Sequence, residues 1–239
     1  EFRRVLFRSR QAGGVEAVRI SRSDGYIGVL IDDLITRGVS EPYRMFTSRA
    51  EYRLSLRSDN ADQRMTPLGI RFGCVSSERS AVYKQKKDAL DRMIDKAKKF
   101  IVTPNEASKK GFALNQDGVK RSLFDLLSYP TISVGDLCQA WPIFQEDKAV
   151  LLEQLEIEAK YSVYLDRQKS DIAALERDEE ILLPINLDYD SIEGLSNEMR
   201  QKLSRIRPAT IGQAGRVDGV TPAALGLLLT YLKRKRSAA

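Results

Sequence analysis

The sequence predicts a mostly helical fold, and three observations carry that expectation. Tyr83, Leu90, Met93, Ile94, Ala97 and Ile101 form an apolar stripe at helical spacing, with Lys84, Lys86, Lys87, Lys96, Lys98 and Lys99 around it. Capping-box spacings recur at Ser122-x-x-Asp125, Ser133-x-x-Asp136 and Thr210-x-x-Gln213. Residues 145–181 then run without a proline or a glycine.

Residues 1–10 mix basic and apolar side chains without turn or cap chemistry, and read as a truncation edge or non-native sequence outside the fold. Residues 21–25 read as a turn. The apolar run that follows is rich in β-branched residues and fits either a strand or a helix over 26–36, with Gly38 as its stop. Glu41-Pro42 breaks the chain, because the residue before a proline is pushed out of helical geometry. From Arg49 the pattern alternates. Arg49, Glu51, Arg53, Ser55 and Arg57 face one way; Ala50, Tyr52, Leu54 and Leu56 face the other. A helix would also align Arg49, Arg53 and Arg57, but the alternation predicts a half-buried strand, closed by a turn at 58–62.

Ser76 is the predicted N-cap of the lysine-rich helix, and Pro104 ends it. The helices opened by Ser122 and Ser133 stop before Pro130 and Pro142. Along 145–181 the apolar side is Leu152, Leu155, Ala159, Val163, Ile172 and Leu175, and Pro184 closes the stretch. Short helices follow, one after Asp188 and one capped by Ser196, with Thr210 and Thr221-Pro222 as further start signals.

Of the 239 residues, 30% are charged and 42% hydrophobic, ordinary values for a folded domain set. The longest apolar run, 223–232, falls short of the roughly 18–20 residues a membrane span needs, so no membrane association is expected. There is no histidine, which removes the usual general base and metal ligand. Cys74 and Cys138 cannot build a zinc site and read as buried or half-buried free thiols in a reducing cytoplasm. No catalytic residue and no metal ligand is assigned. Asp32-Asp33 is a paired carboxylate, but neighbouring side chains diverge, and a cap or surface role is expected. No glycine-rich phosphate loop occurs.

Net charge is +6, unevenly spread. Residues 84–110 hold nine Lys/Arg against four acids, and 200–239 hold nine against one, whereas 140–190 hold five against thirteen. The basic blocks suit a polyanion. Arg44, Arg49, Arg53, Arg57 and Arg64 fall within 21 residues beside Tyr43 and Tyr52, the chemistry of bidentate phosphate contact. The rival reading is a solvated face of Arg–carboxylate pairs. Lys160, Tyr164 and Arg167 share a helix face, and Lys233, Arg234 and Lys235 belong to a basic tail; both are further RNA-contact candidates.

Two blocks go beyond composition. The first is Gly25-Tyr26-Ile27-Gly28-Val29-Leu30-Ile31-Asp32-Asp33-Leu34, then Glu41-Pro42-Tyr43-Arg44-Met45-Phe46-Thr47-Ser48-Arg49-Ala50-Glu51-Tyr52-Arg53-Leu54 and Asp59-Asn60-Ala61-Asp62-Gln63-Arg64. The second includes Arg207-Pro208-Ala209-Thr210-Ile211-Gly212-Gln213-Ala214 and Gly219-Val220-Thr221-Pro222-Ala223-Ala224. Together they resemble the tRNA uridine 5-carboxymethylaminomethyl modification enzymes, the MnmG or glucose-inhibited division protein A family. The likeness runs from about Gln11 to Lys233.

The resemblance implies an FAD-dependent homodimer that works with a tRNA-modifying GTPase to install an aminomethyl-type group on C5 of the wobble uridine, with NADH reducing the flavin. It implies that the FAD and NADH sites and the reactive cysteines lie in a preceding part, and that this chain alone is inactive. It places 11–72 as the remnant of an α/β FAD-binding (Rossmann-type) domain, 73–182 as a helical domain, and 183–239 as a small helical subdomain. It points to tRNA contact by the arginines and basic residues above, and to docking of the GTPase or tRNA through Arg207, Gln213, Arg216 and Thr221. Val163 stands where the family would have glycine. The alternative is a structural or dimerisation module without RNA contact.

Overall fold

The computed structural model describes residues 12–14, 18, 20–38, 42–144 and 147–237, the side chains of 167 and 235–237 excepted. Residues 1–10 lie outside the described residues. The fold is mostly α. Contacts group the chain into two units, Glu1–Val18 with Arg57–Arg167, and Arg19–Leu56 with Gln168–Ala239.

In the first unit, α2 (Ala61–Arg71) leads to α3 (Ser77–Lys99), whose first turn is capped as predicted: the Ser76 hydroxyl accepts from the Arg79 N–H at 3.2 Å. A two-residue antiparallel ribbon pairs β1 (Ile101–Val102) with β2 (Arg121–Ser122). Pro104 ends α3's run but also opens α4 (Pro104–Lys109), because Thr103 and Glu106 complete a capping box around it. Ser122 and Ser133 cap α5 (Leu123–Leu127) and α6 (Val134–Ala140), each with its partner aspartate closing the box. Leu90, Met93 and Ala97 of α3 meet Leu123, Leu127, Leu137 and Leu155 in an aliphatic core.

The long helix α7 spans Ala149–Glu180, and the division between units falls within it. Leu155 and Ala159 are buried, but Val163 is 64% exposed and Ile172 and Leu175 are only half-buried, so the fully buried part of the predicted apolar side ends at Ala159.

In the second unit, the ambiguous run resolves as a helix, α1 (Tyr26–Thr36). The predicted strand over Arg49–Arg57 is not formed. Thr47–Arg49 makes a 3₁₀ turn, and the Ala50, Arg53, Ser55 and Leu56 N–H groups bond carbonyls three or four residues back. Local turn bonding satisfies the backbone that a ladder would otherwise have to pair. No helix follows Asp188 either. Its carboxylate accepts from the Asp190 N–H at 3.0 Å and the Ser191 hydroxyl bonds its carbonyl, which folds the segment into turns ahead of Gly194 at φ 85°. Then come α8 (Asn197–Ile206), capped by Ser196, α9 (Ile211–Arg216) and α10 (Pro222–Ser237). Leu187, Ile192, Leu203, Ile211 and Leu228 form the core of this unit.

Candidate nucleic-acid interface

The five candidate arginines have different fates. In the second unit Arg44 is exposed, with its guanidinium 5.5 Å from the Phe46 ring centre, and Arg53 is exposed. Arg49 is 37% exposed and its Nε stands 3.9 Å from Asp33. In the first unit Arg57 is buried: it pairs with Asp59 at 3.0 Å and Glu158 at 3.2 Å, and lies 4.2 Å from the Tyr161 ring centre. Gln154 also donates to Asp59 and Glu158. Despite the cost of burial, Arg57 and Gln154 hold the Asp59 carboxyl below its usual range. Arg64 is half-buried, donating to Asn60 at 2.9 Å and to the Arg57 carbonyl at 3.0 Å. The row of guanidinium groups expected on one strand face does not exist, because the strand does not, and Arg57 and Arg64 serve the interior of their unit.

The other candidates are placed as follows. Lys160 pairs with Glu156 at 2.5 Å. Tyr164 is 62% exposed, and the Arg167 side chain is outside the described residues. Gln168 holds the 51–55 turn, donating to the Glu51 carbonyl at 3.1 Å and accepting from the Ser55 hydroxyl at 2.6 Å. Lys233 and Arg234 are exposed on α10; the Lys235 side chain is outside the description. Arg207 is exposed and caps α8 in the left-handed conformation, φ 47°, donating to the Ile185 carbonyl at 2.8 Å. The Gln213 side chain accepts from the Ala209 N–H at 2.7 Å, one residue short of the predicted reciprocal box. The Thr221 hydroxyl accepts from the Ala224 N–H at 3.3 Å, as an N-cap does.

Arg216 is the fourth predicted docking residue, and it faces inward. Its Nε and Nη2 grip Asp32 at 2.6 and 2.9 Å, and Nη2 also pairs with Glu179. Asp32-Asp33, expected on the surface or at a cap, are buried, 7% and 4% exposed. Both accept from one nitrogen of Arg22, at 3.0 and 2.8 Å, while its other terminal nitrogen takes Glu51 at 2.8 Å and the Arg49 carbonyl at 3.0 Å. Tyr43 donates to Asp33 at 2.9 Å. Burial opposes the charge on Asp33, but Arg22 and Tyr43 outweigh it and hold its carboxyl below the usual 3.8. Burial likewise opposes the charge on Arg22, and Asp33 and Glu51 raise its pKa above the ordinary value regardless. The sequence carried one signal for this network: two acids inside an apolar run require a cation.

Cys138 is half-buried with its thiol pushed up by burial, as expected of a packed thiol, but Cys74 is exposed, contrary to expectation. Among the described residues no cluster of His, Cys, Asp or Glu could hold a metal, and no helix is long and apolar enough to cross a membrane. In the first turn of α1, a Cβ at Gly28 would fall on the Ser21 carbonyl oxygen, so the bareness of Gly28 serves the chain's own packing.

Fold and site together define a helical, cation-bearing region built around internal ion pairs. Comparison with known proteins names the class. The family described as tRNA modifying enzyme MnmG/GidA C-terminal helical domain matches residues 77–169, and the C-terminal helical bundle of the same enzymes matches 171–239. A tRNA uridine 5-carboxymethylaminomethyl modification enzyme MnmG of Granulibacter bethesdensis is 43% identical over 228 residues, 95% of this chain and 36% of that protein. Its counterpart in Latilactobacillus sakei is 44% identical over 224 residues, 92% of this chain and 35% of that protein. GidA of Aquifex aeolicus, in its form II crystal, superposes with a TM-score of 0.81 at 35% identity, over 95% of this chain and 36% of that one. The chain belongs to the MnmG/GidA family and corresponds to its C-terminal part. It spans about a third of the length of the relatives it matches.

Proposed function

We propose that the chain is the tRNA- and partner-binding part of a flavin-dependent enzyme that, with a GTPase, installs a carboxymethylaminomethyl-type group on C5 of the tRNA wobble uridine. FAD and NADH belong to the rest of that enzyme, a homodimer of the cytoplasm, and this part is inactive alone. Residues 11–72 complete its FAD-binding domain. In this reading Arg44 and Arg53 meet tRNA phosphates, Arg49 assists, and Lys160, Arg167, Lys233, Arg234 and Lys235 add long-range attraction. Arg207, Gln213 and Thr221 present the docking edge, while Arg57 and Arg64 hold the scaffold of the first unit and Arg216 that of the second.

The observation that supports this reading is the sorting of the arginines. Arg57 and Arg216 are spent on internal carboxylates, whereas Arg44 and Arg53 stay exposed in the same stretch of sequence. The test is tRNA binding by fluorescence anisotropy across a salt series. Replacing Arg44 and Arg53 by alanine lowers affinity and reduces the salt slope by about 1.4–1.8, the share of two phosphates. Unchanged affinity and slope reject the reading.

A second reading, a structural or dimerisation module, is favoured by the apolar face of α1, where Tyr26, Ile31, Leu34 and Ile35 are 42%, 46%, 37% and 51% exposed. It predicts concentration-dependent dimers in sedimentation that Ile31→Glu disperses, with tRNA binding absent.

A further inference from the structure

Helix α3 carries a cationic surface that the reading above leaves unused. Arg92, Lys96 and Lys99 are spaced four and three residues apart, so they share a helix face. With Asp95, Phe100 and Ile143 they line a recess of about 460 Å³, inside the range of about 300–1,000 Å³ for small-ligand sites. Its walls are fixed. Lys96 donates to the Ile143 carbonyl and lies 5.4 Å from the Phe144 ring centre. Asp147 stands 3.8 Å from the same ammonium. Phe100 meets Trp141 edge-on at 6.2 Å, Trp141 stacks on Phe112 at 5.4 Å, and the Phe100 carbonyl accepts from the Leu123 N–H at 3.0 Å. Arg92 and Lys99 are exposed, as is Lys96.

We infer that this recess holds one nucleotide unit of RNA, its phosphate between Arg92 and Lys99 and its base against Phe100. The inference rests on the reading of the chain as a tRNA-binding region, and names a place on it. Chemistry favours RNA over an acidic protein segment. A guanidinium and an ammonium together suit a phosphate. An aromatic floor held rigid from behind gives a base something to stack on, and an acidic peptide nothing. Asp95 can accept from a ribose hydroxyl, a donor that an acidic side chain does not carry.

Trp141 is the only tryptophan of the chain and touches Phe100, so its emission reports on the recess. The whole chain is titrated with tRNA, with a short oligouridylate and with polyglutamate, following Trp141 emission and the anisotropy of labelled RNA. Both RNAs are expected to quench Trp141. The double substitution Arg92→Glu with Lys99→Glu, on exposed positions that leave the circular dichroism unchanged, abolishes the oligouridylate signal and lowers the tRNA salt slope by about 1.4–1.8. The inference is overturned if tRNA saturates the chain while Trp141 stays unchanged, if the double substitution leaves the slope intact, or if polyglutamate alone quenches Trp141. Loss of tRNA binding on Arg44→Ala with Arg53→Ala, and none on changing Arg92 and Lys99, rejects the recess and keeps the broader reading. No tRNA binding at all rejects both.

Discussion

In the unit built on α3 to α6, short helices are closed by serine and threonine caps over an aliphatic core; in the unit holding α1 and α8–α10, α1 is also tied down by buried charge. The first device is local and cheap. Each cap satisfies backbone groups within three residues and contributes about 1 kcal/mol. The second is long-range. Arg22 reaches Glu51, and Arg216 reaches back across the sequence to Asp32, joining segments more than 180 positions apart. Charges buried this way add little net stability over a well-packed apolar replacement, but breaking one partner out is expensive.

That contrast is open to measurement. The largest effect is expected at Arg22. Arg22→Met leaves Asp32 and Asp33 buried beside each other with less cation and costs about 3–5 kcal/mol in urea unfolding followed by circular dichroism. Adding Asp33→Asn to that variant recovers part of the loss; a cost below about 1 kcal/mol for Arg22→Met would show the network to be incidental. Next is the aliphatic core of the other unit, where Leu155→Ala costs about 2–5 kcal/mol through the lost side chain and the cavity it leaves. A smaller effect separates the units by pH. The Asp33 carboxyl is held below 3.8, so its contribution is complete above that value and fades as pH falls through the lower folded one. Asp33→Asn therefore flattens the acid limb of the stability profile below about pH 4, whereas Leu155→Ala shifts the whole profile without changing its shape. The smallest is Ser122→Ala, about 1 kcal/mol by thermal unfolding. A loss as large as that at Arg22 would erase the distinction between the two kinds of closure.

The same contrast explains what the sequence let a reader see. Ser76, Ser122, Ser133 and Ser196 announced their helices because a cap and its target lie three residues apart and no distant contact is needed. Thr103-Pro104-x-Glu106 carried the same signal and was hidden by the reading of Pro104 as only a stop. The β1–β2 ribbon is two residues long on each side, too short for any period to show. The region 49–57 misled for the opposite reason: its alternation was real, but backbone bonds to the preceding three or four residues turned the chain instead of extending it. In the candidate site the exposed Arg44 and Arg53 were named from sequence alone. The inward turn of Arg57 and Arg216 was not legible, since it depends on Glu158, Glu179 and Asp32, partners brought near only by the fold.

Gly28 gives the buried charges an unexpected point of control. The Ser21 carbonyl rests against its bare α-carbon, and Ser21 is the neighbour of Arg22. A single methyl at that position would lift the 21–24 turn away from the helix and withdraw the arginine from its three carboxylates, so an uncharged substitution would act as an electrostatic one. The smallest side chain in the region thus governs where its most deeply seated positive charge can lie.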